Sequence, residues 1–119
     1  MILVDTSVWI EHLRRGEPDL VRRLNAREVL GHPWVIGELA TGNLHDRAAW
    51  LTDLKNLPRA VVATDTEVLS LIEHEALYGL GIGYVDICLL AATRLTPTAR
   101  LWTRDRRLAD VAARMGVAA

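Results

Sequence analysis

The sequence has one cysteine, one lysine and no phenylalanine among its 119 residues. A single cysteine cannot form an intrachain disulfide, so a disulfide-stapled secreted scaffold is excluded. That thiol, Cys88, lies in an apolar run and is predicted to be a small buried side chain. With no phenylalanine and only two tyrosines, the chain shows no obvious aromatic surface for stacking nucleic-acid bases. The tryptophans are predicted to be core or interface residues: Trp9, Trp34, Trp50 and Trp102.

Long apolar runs are also missing. No stretch approaches the ~20 residues of a membrane helix, and the apolar opening is too short for a signal peptide. The protein is therefore predicted to be soluble and cytoplasmic. The formal net charge of −1 does not by itself indicate a nucleic-acid binder. Except for Lys55 the basic residues are arginines, which suit bidentate phosphate contacts, although a biased genome composition would leave the same signature.

Short apolar segments alternate with helical patterns along the whole chain. The length suits one domain, residues 1–119, with one core. Candidate strands lie at 2–4, 28–31, 60–63 and 100–103, with a short last one from Val117. Helices are predicted at 8–13, 19–26, 34–40, 46–57, 65–77, 84–95 and 105–115, with Asp46 and the segment 64–66 as caps. The alternation predicts an α/β fold with a parallel sheet of four to five strands and helices on both faces.

Four acids stand where solvated surface charges are not expected. Asp5 ends the first buried strand, and Asp105 follows the fourth candidate strand, where a helix cap is the competing explanation. Glu38 is predicted to project from the apolar side of its helix. Asp86 has Ile82, Gly83, Leu89 and Leu90 as helical neighbours and no local counter-charge.

Buried carboxylates are costly unless they are paired or bind a metal. The carboxyl ends of parallel strands share one edge of a sheet, where ligands bind in open α/β folds. One site with a hard divalent cation therefore accounts for all four acids together. Oxygen ligands without histidine suit Mg²⁺ or Mn²⁺ over Zn²⁺. The histidines are scattered and Cys88 has no partner cysteine, which excludes a thiolate zinc site.

These acids lie in segments that resemble the motifs of the PIN-domain ribonucleases, and specifically the VapC-type toxins of bacterial toxin–antitoxin modules. The opening at 2–10 is similar to the first motif of that family, and Glu38 matches its helical glutamate. The Gly-x-x-Asp helix start at 83–86 and the strand, hydroxyl residue and acid at 101–105 resemble the later motifs. The resemblance covers essentially the whole chain.

The resemblance implies a PIN-like α/β/α sandwich that cleaves RNA internally in a metal-dependent reaction. It alone supplies the RNA substrate, the toxin role and neutralisation by a cognate VapB-type antitoxin laid across a groove near the acids. The chain departs from many members in one respect, because Arg106 and Arg107 stand where a further acid is common and Asp110 comes later. Whether one or two metal ions bind is therefore left open.

Within such a site, Asp5 and Asp86 are the expected direct metal ligands. Glu38 and Asp105 would complete the shell, hold a second ion or orient the attacking water. In-line hydrolysis predicts a 5′-phosphate and a 3′-hydroxyl.

Substrate contacts are expected from hydroxyl and guanidinium groups beside the acids. Thr6 or Ser7 could touch phosphate or metal-bound water, while Thr103 also fits a plain strand-end hydroxyl. The arginines that cluster beside Asp105 fit either RNA phosphate contacts or solvated helix charges: Arg104, Arg106 and Arg107.

Other classes of protein fit less well. A receiver domain needs a lysine near its last strand, and Lys55 is misplaced for that role. A phosphatase of the Asp-x-Asp type fails because Ser7 occupies the second acid position. A PIN-like module that binds RNA or a partner without cutting is the remaining alternative. The many apolar helices also favour a homodimer.

Overall fold

The computed structural model describes the whole chain, Met1–Ala119, and is built from three short strands and seven helices. The strands are β1 (Ile2–Val4), β2 (Val29–Leu30) and β3 (Arg100–Trp102). The helices are α1 (Thr6–Arg15), α2 (Pro18–Asn25), α3 (Pro33–Ala40), α4 (Arg47–Lys55), α5 (Asp65–His74), α6 (Tyr84–Leu95) and α7 (Arg106–Arg114). The predicted α/β class is confirmed.

The sheet is parallel and has the order β2-β1-β3. Leu3 of β1 pairs with Leu30 on one side and with Leu101 on the other. Consecutive strand side chains point to opposite faces, and all three residues of β1 are buried, so both faces of the sheet are covered. β1 therefore runs through the middle of the core and delivers Asp5 to the centre of the carboxyl edge.

The sheet has three strands, fewer than the four to five expected. The apolar segment 60–63 was predicted as a strand, but only a single bridge between Gly31 and Arg59 forms beside it. Val61 is exposed, and its N–H donates to Oγ1 of Thr96 at 2.8 Å instead of to a neighbouring strand. At the other edge, the predicted last strand is reduced to one bridge between Leu101 and Ala118.

One continuous core of 27 buried apolar residues links the sheet to the helices. It includes Cys88, which is 5% exposed, and this confirms the prediction of a buried thiol. α6 contributes six consecutive residues to this core, 87–92, because it packs against both β3 and α5. None of the seven helices combines the length and apolar content that crossing a bilayer requires.

Candidate active site

All three strands run into helices at one edge of the sheet, and the four acids lie around that edge. Asp5 joins β1 to α1, and Asp105 joins β3 to α7. Glu38 lies in the second turn of α3, the helix that follows β2, and Asp86 lies in the first turn of α6. Residues far apart in sequence are thus assembled by the parallel topology.

Asp5 is the most buried of the four, with 6% of its surface exposed. Its carboxylate oxygen Oδ2 accepts hydrogen bonds from the hydroxyls of Ser7 and Thr103, both at 2.7 Å. Its backbone N–H donates to the carbonyl of Trp102 at 2.9 Å, which fixes the main chain against β3. Since both side-chain hydrogen bonds fall on Oδ2, the second oxygen Oδ1 keeps its ligand-binding capacity.

Hydroxyl groups tie the first and last strand-to-helix junctions together. The Ser7 and Thr103 hydroxyl oxygens are 3.3 Å apart, and Ser7 Oγ accepts the backbone N–H of Arg104 at 2.9 Å. The Thr103 hydroxyl accepts the N–H of Asp105 at 3.0 Å. This network holds Asp5 and Asp105 in a fixed relation across two strands.

Glu38 was predicted to project from the apolar side of its helix, and that prediction was wrong. Its side chain is exposed, while Val35, Ile36 and Leu39 form the buried face of α3. Glu38 Oε1 accepts a hydrogen bond from the Thr6 hydroxyl at 2.7 Å. The glutamate therefore lies over the start of α1, within the acid group but on its solvent side.

Asp86 is half-buried at the start of α6. Burial is the main cause that raises the pKa of this carboxyl above its ordinary value, and a hydrogen bond from the Gly83 N–H at 3.2 Å opposes the shift. The charges of Asp5, Asp105 and Glu38 raise the Asp86 pKa further, in that order. The three other acids are therefore close enough to disfavour the ionisation of Asp86, and a perturbed carboxyl of this kind is a frequent property of functional sites.

Asp105 serves as the N-cap of α7, the competing explanation raised by the sequence. Its Oδ1 accepts the N–H groups of Arg107 at 2.9 Å and Leu108 at 3.2 Å. The residue is exposed, and the cap occupies one carboxylate oxygen only. A cap and a role in the acid site are therefore compatible.

The chemistry of these acids suits a divalent cation, but their side chains do not form a ready set of ligands in this structure. No three histidine, cysteine or acidic side chains converge on a common point as ligands of one ion. Glu38 is turned to Thr6 and Asp105 to the α7 N-terminus. Mutual repulsion favours such separation, and oxygen-only donors suit Mg²⁺ or Mn²⁺.

The arginines beside Asp105 differ in their surroundings. Arg104 forms an ion pair with Glu17, whose side chain is only 14% exposed. The guanidinium of Arg107 packs against Gly81, in the space that a β-carbon there would need. Arg106 is exposed and takes part in no ion pair.

Two residues at this edge were not singled out from the sequence. Glu17 is ion-paired with Arg104, and no local spacing signals a pair separated by 87 residues. His32 is fully buried and caps α3 by accepting the Trp34 N–H on Nδ1 at 3.1 Å. A histidine before a proline at a strand end was an available signal for such a cap.

Comparison with known proteins gives two consistent results. The family model described as "PIN domain" matches residues 2–114, a range that includes all four acids. The chain is 50% identical over 118 residues to "Ribonuclease VapC32" of Mycobacterium tuberculosis, in both strain CDC 1551 / Oshkosh and strain ATCC 25618 / H37Rv. The alignment covers 99% of this chain and 95% of that protein.

Proposed function

Because this chain belongs to the VapC-type PIN-domain ribonucleases, we propose that it is a Mg²⁺-dependent endoribonuclease acting as the toxin of a toxin–antitoxin module. A single PIN domain spanning 1–119 carries the activity. The observation that supports this most strongly is the gathering of Asp5, Glu38, Asp86 and Asp105 at one sheet edge. There the pKa of Asp86 is raised by burial and by the three other acids.

The metal would be held by Asp5 and Asp86, with Glu38 and Asp105 completing the shell. Asp5 is suited to this role because Ser7 and Thr103 fix Oδ2 and leave Oδ1 available. When bound, Mg²⁺ or Mn²⁺ would lower the pKa of a water molecule and offset charge on the phosphate. One metal or two remains compatible with this set of acids.

The chain's own groups then orient the substrate for in-line hydrolysis. Glu38 is on the solvent side and can accept a proton from the attacking water or hold it in line. The hydroxyls of Thr6, Ser7 and Thr103 position the carboxylates and border the phosphate. The expected products carry a 5′-phosphate and a 3′-hydroxyl.

RNA phosphates on either side of the cut are assigned to Arg104, Arg106 and Arg107. All three are exposed, and Arg106 is the one without a contact of the kind that Arg104 makes to Glu17 and Arg107 to Gly81. Arg106→Ala should weaken RNA binding modestly and reduce its salt dependence by about one phosphate contact.

A cognate VapB-type antitoxin is the proposed inhibitor. The supporting feature is a groove of about 340 Å³ between α1 and α3, lined by Ile10, Leu13 and Leu39, with Glu38 also on its wall. An apolar antitoxin segment in this groove would lead a basic side chain to the acids. Leu13→Glu should release the antitoxin while leaving metal binding unchanged.

A homodimer in the cytoplasm is the proposed working form. Exposed apolar side chains support it: Val61, Val62, Leu69 and Leu95. Leu95 borders a groove of about 410 Å³ between α5 and α6. Analytical ultracentrifugation of wild type and Leu69→Glu tests this proposal. If Leu69 lies in the dimer interface, the variant should shift toward monomer.

The deciding experiment is cleavage of a mixed cellular RNA pool with Mg²⁺, with Mn²⁺ and with EDTA, beside Asp86→Asn. Cuts that disappear in EDTA and in the variant support the nuclease, and mapping the ends identifies the sites. Equal, EDTA-insensitive background from both proteins would instead favour a PIN-like RNA- or protein-binding module without nuclease activity.

A further inference from the structure

Trp34 is an exposed aromatic residue on the same face of α3 as Glu38. Its surface is 51% exposed, although the tryptophans were expected to lie in the core or an interface. Trp34 precedes Glu38 by four residues in α3, which places the two Cβ atoms about 5–6 Å apart on one helix face. An exposed aromatic ring at this point presents a flat apolar face beside one of the acids.

The Trp34 backbone is held firmly. Its N–H donates to Nδ1 of His32, which is fully buried, and Pro33 fixes the first helical position. α3 starts at the carboxyl edge of the sheet, and Trp34 lies in its first turn, one turn before Glu38. The ring is therefore carried on a rigid support beside the acids, an arrangement that lowers the entropic cost of binding.

The groove assigned to the antitoxin does not include Trp34. Its wall on α3 consists of Glu38 and Leu39, further along the helix, and Gly42 follows the end of the helix. The acids repel phosphate, and two of the three nearby arginines already contact Glu17 or Gly81. This edge can therefore gain further affinity for RNA through an uncharged contact to a base.

We infer that Trp34 is a base-stacking platform that holds an unpaired nucleotide of the RNA next to the scissile phosphate. The inference rests on the proposed ribonuclease function. Every base has a π-face, so the platform provides affinity and register with little sequence preference. It also predicts that the substrate is single-stranded at this point, since a paired base cannot be covered by the ring.

The test measures RNA binding separately from cleavage. The probe is a labelled single-stranded RNA of about 12 nucleotides with randomised sequence, within the usual size of such sites. The second probe has the same length but consists of abasic spacers. Both are titrated in Mg²⁺ against the Asp86→Asn protein, and against that protein with Trp34→Leu, Trp34→Tyr or Val21→Ala added. Val21 is the control because it is 42% exposed, lies on α2 and belongs to none of the proposed interfaces.

Stacking predicts that Trp34→Leu raises Kd for the randomised RNA about 5- to 150-fold. Trp34→Tyr should stay within about threefold of the parent because a π-face is retained. On the abasic strand the four proteins should bind alike. In the cleavage-competent protein, the Trp34→Leu loss should fall on KM more than on kcat.

Three results would overturn the platform: no change with Trp34→Leu, equal loss with leucine and tyrosine, or a loss that persists on the abasic strand. If the first of these results is accompanied by weaker antitoxin binding of Trp34→Leu, the ring is assigned to the antitoxin instead. If the nuclease proposal fails, the cellular RNA pool shows no metal-dependent cuts with the wild-type protein or with any Trp34 variant. A base-dependent Kd in that case would still support the platform.

Discussion

Two neighbouring junctions of the acid edge look alike in sequence and differ in structure. At both Asp5 and Asp105 an aspartate lies between a strand and the helix that follows it. Asp105 caps its helix through Oδ1, whereas the Asp5 side chain makes no cap hydrogen bond to α1. Asp5 accepts two hydroxyls instead and is almost fully buried. A buried strand-end carboxylate that its own helix does not use is available for a ligand.

The β2–α3 junction completes the comparison. There the capping side chain is the imidazole of His32, which is buried, and Nε2 has no hydrogen-bond partner. The junctions at His32 and Asp105 therefore use a side chain to cap the following helix, and the central junction at Asp5 does not. The difference predicts that the junctions respond differently to substitution.

The largest effect is expected for Asp5→Asn. It should reduce RNA cleavage at least about 100-fold because a negative metal ligand is lost. The free energy of unfolding should change by less than about 1 kcal/mol, since the amide oxygen can still accept hydroxyls and α1 loses no cap. Cleavage kinetics and urea unfolding measure the two quantities. A stability loss matching that of a helix cap would contradict the comparison.

Thr103→Val should weaken Mg²⁺ binding about 10-fold. The substitution preserves shape but removes the hydroxyl that donates to Asp5 and accepts from Asp105. Thr52→Val is the matched control, because the Thr52 hydroxyl only contacts its own helix at Ala48. Equal metal affinity of Thr103→Val and wild type would show that the network does not orient Asp5.

His32 should make the β2–α3 junction sensitive to acid. Burial, with a smaller contribution from the Arg59 charge, lowers the pKa of His32 to about 4. The unfolded chain, with an ordinary pKa of 6.5, binds the proton more readily, so stability is lost as pH falls from 6.5 toward 4. At pH 5 this effect should lower the free energy of unfolding by about 2 kcal/mol relative to its value at pH 7.

Urea unfolding at pH 5 and pH 7 measures this effect. His32→Asn, which can still cap α3, should flatten the dependence. The raised Asp86 pKa acts in the opposite direction, favouring the folded state as pH falls toward 3.8. Comparing Asp86→Asn with the His32→Asn/Asp86→Asn double variant removes the effect of the aspartate and isolates that of the histidine. An unchanged pH profile in His32→Asn would exclude it as the source.

The smallest effect concerns the Asp105 cap. Asp105→Ala should lower the free energy of unfolding by about 1 kcal/mol, while Asp105→Asn should retain most of it. Both should weaken metal binding, because neither carries the charge. Thr64→Ala is the control: it breaks the capping box of α5 and should cost similar stability without affecting the metal. Identical stability of the alanine and asparagine variants would show that the cap is irrelevant.

Much of the fold was predictable because the signals were local. β1 is a short unbroken apolar run and α6 is a long apolar helix, and both were predicted from the sequence. The segment 60–63 is equally apolar but exposed at Val61 and Val62, since Thr96 rather than a strand takes the Val61 N–H. Asp46 was expected to cap α4, yet it adopts a positive φ and makes no side-chain cap hydrogen bond.

The candidate site was predictable in composition and less so in geometry. Apolar neighbours drew attention to Asp86, and the strand-end rule to Asp5 and Asp105. The exposure of Glu38 was missed because α3 is short and its buried face is set by α1, which no local pattern reports. The ion pair of Arg104 with Glu17 and the hydrogen bond from Thr103 to Asp5 depend on tertiary packing alone.

The measurement that tests the central claim most directly is calorimetric titration of Mn²⁺ or Mg²⁺ into wild type and the single variants Asp5→Asn, Glu38→Gln, Asp86→Asn and Asp105→Asn. Asp53→Asn, a change on exposed α4, is the control. One shared site predicts saturable binding in wild type and the control, weakened at least about 10-fold by each of the four substitutions. Absent binding in wild type, or affinities unaffected by these substitutions, would contradict it.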